Sequence, residues 1–232
     1  MSHLEKLPVV VIACQVLQDL LEQLLPAGLA EQVSFLDYGL HRLPNKMTWT
    51  LQEAIASIEQ PSLIVLGYGL CGNGLHGLKA GIHTLLVPRT DDCIAILLGS
   101  RQAYMRQFET VPGTYYLSKG WLESGSHPLK EYHENAKKYG TEDAAWIMDQ
   151  QYQHYERVAL VAHSPADMDN YRPEAQKVAE YCSQWGMRYE EILGSDNYVR
   201  RLIEIAADLD QTDDDFLIIR AGEEISQDYF FR

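Results

Sequence analysis

Four short apolar runs, LPVVVIAC at 7–14, QVSFLDY at 32–38, SLIVLGY at 62–68 and HTLLVPR at 83–89, recur along the chain with helical patterns between them. This alternation narrows the fold more than any other feature. Leu17, Leu20, Leu21 and Leu24 make one helical face after the first run, and Met47, Leu51, Ala54, Ile55 and Ile58 make another after the second. Short β-branched or leucine-rich runs are what strands buried on both faces require, and crossover helices make such a sheet parallel. The expected class is α/β: a parallel-sheet, Rossmann-like three-layer architecture with a second, smaller α/β lobe.

After the fourth run, Ile94, Leu97, Leu98, Tyr104, Met105 and Phe108 recur at helical spacing, with Arg101 on the same stripe. This predicts one helix over 93–108, ended by VPG at 111–113. The stretch that begins GTYYLSKGW reads as an irregular aromatic segment followed by two helices. Beyond it the alternation resumes, with strands expected at 157–163, 188–194 and 215–221 and helices over 171–185 and 196–209. The expected division is therefore 1–125, an N-terminal α/β lobe carrying the cysteine- and glycine-rich segments, and 126–232, a helical connection and a C-terminal α/β lobe.

At 232 residues the chain can bury a core without disulfide or metal staples. No run approaches the roughly 18 apolar residues that span a bilayer, and the opening MSHLEKLPVVVIAC lacks a basic region followed by a long apolar core. A cytoplasmic protein with no membrane partner is expected. The formal net charge of −14 repels polyphosphate backbones, and no five Lys or Arg residues run together, so nucleic acid is not an expected partner. In a reducing compartment, cysteines serve as metal ligands, nucleophiles or buried apolar groups more often than as disulfides.

Three of the four cysteines follow strands. Cys14 ends the first, Cys71 lies in GYGLCGNGLHG after the third, Cys93 in RTDDC after the fourth, and His41 follows the second in DYGLHR. Loops from adjacent parallel strands can bring such residues together, because the strands lie about 4.8 Å apart. Three thiolates and an imidazole suit tetrahedral zinc, and three cysteines can hold an iron–sulfur cluster; the local CxxC spacing of small metal sites is absent. Gly69, Gly72, Asn73 and Gly74 form a segment without apolar periodicity whose backbone can approach a cofactor or an anion, and Arg101 on its apolar stripe needs a carboxylate or an anionic ligand. The macrodipole of the helix expected from 93 would favour a thiolate at Cys93, while Asp91 and Asp92 compete for its cap. Arg89 is placed to contact a small-molecule ligand, an anion among the candidates. His76 and His83 read as surface or hydrogen-bonded histidines, and Cys182 as a core residue beside Tyr171, Ala175, Val178 and Ala179.

Taken together, IACQVL, LDYGLHRLPNK, LGYGLCGNGLHGL, PRTDDCIAILLGS and GTYYLSKGW resemble the DUF1638 family of uncharacterised bacterial and archaeal proteins, most densely over residues 9–123. The resemblance implies three cysteines, met at Cys14, Cys71 and Cys93, and a link to corrinoid-dependent methyl metabolism, with a corrinoid or methyltransferase protein as a partner. It also implies a histidine where Asp91 stands, so Asp91 would have to replace it if that histidine were a ligand. The expected function is a zinc- or iron–sulfur-binding enzyme or accessory factor acting on a small molecule. In it Cys14, Cys71, Cys93 and His41 hold the metal, while His41, Asp92 and Arg89 serve catalysis. The alternative is a non-catalytic metal carrier or redox sensor.

Overall fold

In the computed structural model, which describes residues 7–231, the elements alternate as the sequence leads one to expect. They run β1 (Val9–Cys14), α1 (Gln18–Leu24), β2 (Ala30–Leu36), α2 (Pro44–Ala56), β3 (Leu63–Gly67), β4 (Thr84–Pro88), α3 (Cys93–Leu97) and α4 (Arg101–Thr110). There follow β5 (Thr114–Leu117), α5 (Lys119–Ser124), α6 (Pro128–Tyr139), α7 (Thr141–Tyr152), β6 (Arg157–Ala162), α8 (Pro165–Cys182), β7 (Arg188–Leu193), α9 (Asn197–Ala207) and β8 (Phe216–Ile219). The fold is α/β, with two sheets.

The chain divides into two units, one made of 1–101 with 196–232 and one made of 102–195. The second is thus an insertion in the first, and the divisions fall elsewhere than the boundary near 125 expected from the sequence. The segment at 215–221, expected in the second lobe, supplies β8 to the first sheet. There it pairs antiparallel with β4, from Leu85 opposite Ile219 to Pro88 opposite Phe216. A run of four apolar residues states that a strand is buried but not which sheet it joins.

The first sheet has the order β2-β1-β3-β4-β8, and its first four strands are parallel. Strand alternation sends Val10, Ile12, Ile64, Leu66, Leu85 and Val87 to one face, where they pack with Met47, Leu51 and Ile55 of α2. The other face meets α9, and at Gly67 the backbone comes so close to Ala13 that an added Cβ would lie 2.5 Å from that side chain. Pro44 opens α2, where a missing N–H costs nothing.

The inserted unit carries the parallel sheet β5-β6-β7. Its core gathers Leu117, Met148, Val158, Leu160 and, from α8, Ala175, Val178, Ala179 and Cys182, so Cys182 is a core residue as expected. Arg157, almost fully buried, is satisfied by Thr114, Gln107 and Glu190, the last at 2.6 Å. Two expectations are corrected here. Thr114–Leu117 is a strand, not irregular, because the Gly113 carbonyl accepts the N–H groups of Glu156 and Arg157 and starts a ladder with β6. The helix expected over 93–108 is two helices: Gly99, at φ +87°, breaks the chain between α3 and α4, and α4 buries none of its residues.

Candidate functional site

Strands β1, β3 and β4 lie side by side and parallel, so their carboxyl ends share one edge of the sheet. Cys14 is the last residue of β1, Cys71 follows β3, and Cys93 begins α3 after β4; all three are buried. The Cys93 thiol donates a hydrogen bond to Cys71, and the charges of Cys71 and Cys14 are both felt at Cys93. The three thiols converge from three different strand ends.

The backbone explains how. The N–H groups of Leu70 and Cys71 donate to the carbonyls of Thr90 and Asp91 at 2.9 and 2.8 Å, tying the loop after β3 to the loop after β4. Gly69 permits this approach, since a Cβ there would lie 2.6–2.7 Å from the Asp92 backbone. Cys71, Gly72 and Asn73 then take φ of +47°, +63° and +72°, and two of these are residues for which that region is unfavourable. Backbone strain of this kind persists where the surroundings fix it, and it clusters at functional sites. Gly74 meets the Met47 sulfur, 2.6 Å from where a Cβ would be. Gly69 and Gly74 therefore serve the approach of protein to protein, the packing use of glycine, whereas Gly72 and Asn73 form the exposed crown of the turn.

Burial pushes the Cys14 thiol up to about 12, with the charges of Cys71 and Asp37 adding to the effect and a hydrogen bond from the Val16 backbone opposing it. Cys93 is raised well above the ordinary thiol value by its hydrogen bond to Cys71, by burial and by the charges of Cys71, Cys14 and Asp92. The expectation that a helix macrodipole would favour a Cys93 thiolate is corrected: α3 has only five residues, and burial among like groups outweighs its weak dipole. At rest these two thiols keep their protons at neutral pH.

Tyr68 is the residue that sequence reasoning missed. It follows β3 directly, is buried to 2% exposure, and its hydroxyl has no hydrogen-bond partner among the described residues. Burial raises its pKa first, and the charges of Cys14, Cys71, Cys93 and Asp37 raise it further, so the phenol stands among the three thiols. A buried hydroxyl without a partner is costly, and it is rare enough to require a reason. The only sequence signal was its position, one residue past a strand whose alternation points Leu66 and Tyr68 to the same face.

The remaining candidates fall at varying distances from this cluster. Asp92 caps α3, its carboxylate accepting the Ile94 N–H at 2.8 Å; burial and the neighbouring Asp91 hold its pKa up to about 6 against the opposing backbone hydrogen bonds. His41 is exposed, with Nδ1 2.8 Å from the Tyr38 carbonyl oxygen. From the same loop it is the charge of Asp37 that is felt at Cys14 and Tyr68, while the Asp37 side chain accepts the Gly39 N–H. Arg89 is half-buried, donating to the Phe231 carbonyl at 3.3 Å, and its Nε has no partner among the described residues. Arg101, half-buried at the head of α4, escapes the full burial on which its expected need of a partner rested. His76 is exposed and its Nδ1 accepts the Gln227 N–H; His83 is buried at the start of β4, the opposite edge of the sheet from the thiols. Among the described residues, no three His, Cys, Asp or Glu side chains stand in a geometry ready to hold a metal ion.

A family model described as a protein of unknown function (DUF1638) matches residues 35–203. The chain belongs to the DUF1638 family. The match to DUF1638 takes in His41, Tyr68, Cys71, Asp92 and Cys93 and begins after Cys14, so two of the three converging thiols lie inside the DUF1638 span. No curated protein and no solved structure matches the chain. Among the described residues no helix is long and apolar enough to cross a membrane.

Proposed function

We propose that Cys14, Cys71 and Cys93 hold a thiophilic metal centre, zinc or an iron–sulfur cluster, in an enzyme or accessory factor acting on a small molecule. The observation that carries this reading is the unpartnered Tyr68 hydroxyl buried among three thiols from separate strand ends. An apolar core has no need to gather thiols around a phenol, whereas a metal centre uses both, the thiols as ligands and the hydroxyl as a donor to a sulfur or to a bound group. Burial holds the protons on Cys14 and Cys93, and Cys93 is hydrogen-bonded to Cys71, so loading a metal would release protons from these thiols. With three protein thiolates a fourth position is left for His41, Asp37 or substrate. Asp92, its pKa held up to about 6 by burial beside Cys93, suits proton transfer, and Arg89 suits an anionic group. The cytoplasm as location, and a corrinoid or methyltransferase protein as partner, belong to the same proposal and rest on the sequence and on the resemblance of its motifs.

The test is anaerobic titration of the apoprotein with cobalt(II), a spectroscopic stand-in for zinc. Wild-type protein and Cys182→Ser should give one intense thiolate-to-cobalt charge-transfer band at one equivalent, and Cys14→Ser, Cys71→Ser and Cys93→Ser should each weaken binding at least tenfold. Equal binding by all four variants would contradict the assignment. A second reading, redox sensing, is favoured by the Cys93–Cys71 contact: the two thiols would give two protons and two electrons to hydrogen peroxide, forming a disulfide and two waters. Peptide mass mapping after peroxide treatment distinguishes it, since a metal-holding trio needs no such bond.

A further inference from the structure

The turn that carries Cys71 inward presents Gly72 and Asn73 outward, to a groove of about 620 Å³ between this turn and α2. That volume falls in the range of roughly 300–1,000 Å³ typical of small-molecule sites. Its wall includes Trp49, 61% exposed and without a ring or cation partner among the described residues, so one large apolar face is left open to solvent. Lys79 lies across the groove and makes no ion pair among the described residues. Not one Asp or Glu lines the groove, in a chain with 33 acidic against 19 basic residues.

The polar groups divide by use. Thr48 is engaged, donating to the Gly74 carbonyl, and Gln52 exchanges hydrogen bonds with the Lys79 backbone at 2.9 and 3.2 Å, which fixes the groove's floor. His76 has Nδ1 taken by the Gln227 N–H, so its proton sits on Nε2 and is available to donate. The Asn73 amide has no partner among the described residues and stands on a backbone held at φ +72°. Glu224 pairs with Lys79 across an antiparallel bridge but does not line the groove, whose open indole face, ammonium, imidazole N–H and amide are the complement of a flat ring bearing negative charge.

We propose that this groove binds a planar heteroaromatic anion of mononucleotide size, its ring stacked on Trp49 and its anionic group at Lys79 and His76. This goes beyond the metal reading and stands without it, because none of the three clustered cysteines lines the groove.

The test is isothermal titration calorimetry of the full chain with AMP and with flavin mononucleotide, each beside its phosphate-free counterpart, adenosine or riboflavin, and beside inorganic phosphate. At least one nucleotide should bind with one site per chain and at least tenfold more tightly than its phosphate-free counterpart and than phosphate alone. Trp49→Ala should weaken that binding about tenfold or more, as loss of a base-stacking aromatic does elsewhere. Lys79→Ala should weaken nucleotide binding about fivefold while leaving the phosphate-free ligand unchanged, and higher salt should act in the same sense as Lys79→Ala. Both residues are exposed, so both variants should melt as the wild type does, which a thermal scan checks. Absence of binding by both nucleotides, phosphate binding as tightly as they do, or affinity unchanged in Trp49→Ala and Lys79→Ala would each overturn the proposal. Cobalt binding at the thiols should be unaffected by either variant, which keeps the two readings separable.

Discussion

At Asp92 one carboxylate serves two demands that conflict. It caps α3 through the Ile94 N–H, yet it sits where burial and Asp91 hold its pKa up to about 6 instead of the ordinary 3.8. A folded-state pKa above the unfolded one means the group's contribution to stability is complete below about pH 4 and is lost as pH rises through about 6. At pH 7 the folded protein therefore carries an ionised group it disfavours. Asp92→Asn keeps an acceptor for the Ile94 N–H and removes the charge. We expect it to stabilise the protein at pH 7 by about 1–3 kcal/mol and to make no difference at pH 4, as measured by urea unfolding at the two pH values. A variant less stable at pH 7 would show that the charge itself is needed. Burial acts on Cys14 in the same direction, and there the contribution fades only as pH rises from about 9 through about 12.

Among the elements, the two cysteine loops are held together by a backbone approach that only glycine allows. At Gly69 an added Cβ would meet the main chain of Asp92, which cannot move without shifting Cys93; at Gly74 it would meet chiefly the Met47 side chain, buried but flexible, and more loosely the Cys71 carbonyl. Gly69→Ala should therefore cost about 1–3 kcal/mol and Gly74→Ala less, because a methionine can shift its rotamer and stiffening the unfolded chain returns about 0.4–1 kcal/mol. Thermal melting of the two variants checks the ranking, and equal losses would contradict it. The placing of the thiols was legible in the sequence because strand ends are: Cys14, Cys71 and Cys93 each follow an apolar run, and parallel strands put their ends on one edge. Tyr68 was not, since a tyrosine after a strand is ordinary until its hydroxyl is found without a partner. Strand β5 escaped because four residues, TYYL, are too few to show alternation. The break at Gly99 escaped because the helical spacing resumes in phase beyond it.

For the molecule as a whole, the return of α9 and β8 to the first sheet decides which fragments can fold. Residues 102–195 hold a sheet, the α8 core face and the buried Arg157 network within one unit. Expressed alone they should give a soluble fragment with a cooperative thermal transition by circular dichroism. A fragment of 1–125, cut where the sequence suggested a boundary, loses β8 and with it Ile219, Ile225 and Phe230 of the first core, exposes the edge of β4, and should aggregate. A well-folded 1–125 fragment would contradict the nested arrangement.

Elemental analysis of protein purified without oxygen tests whether three buried thiols around an unpartnered phenol are a metal centre. Such protein should carry about one equivalent of zinc per chain, or several of iron with matching sulfide, falling to background in Cys71→Ser. Folded, reduced protein that carries neither metal and takes up none on anaerobic reconstitution would contradict it.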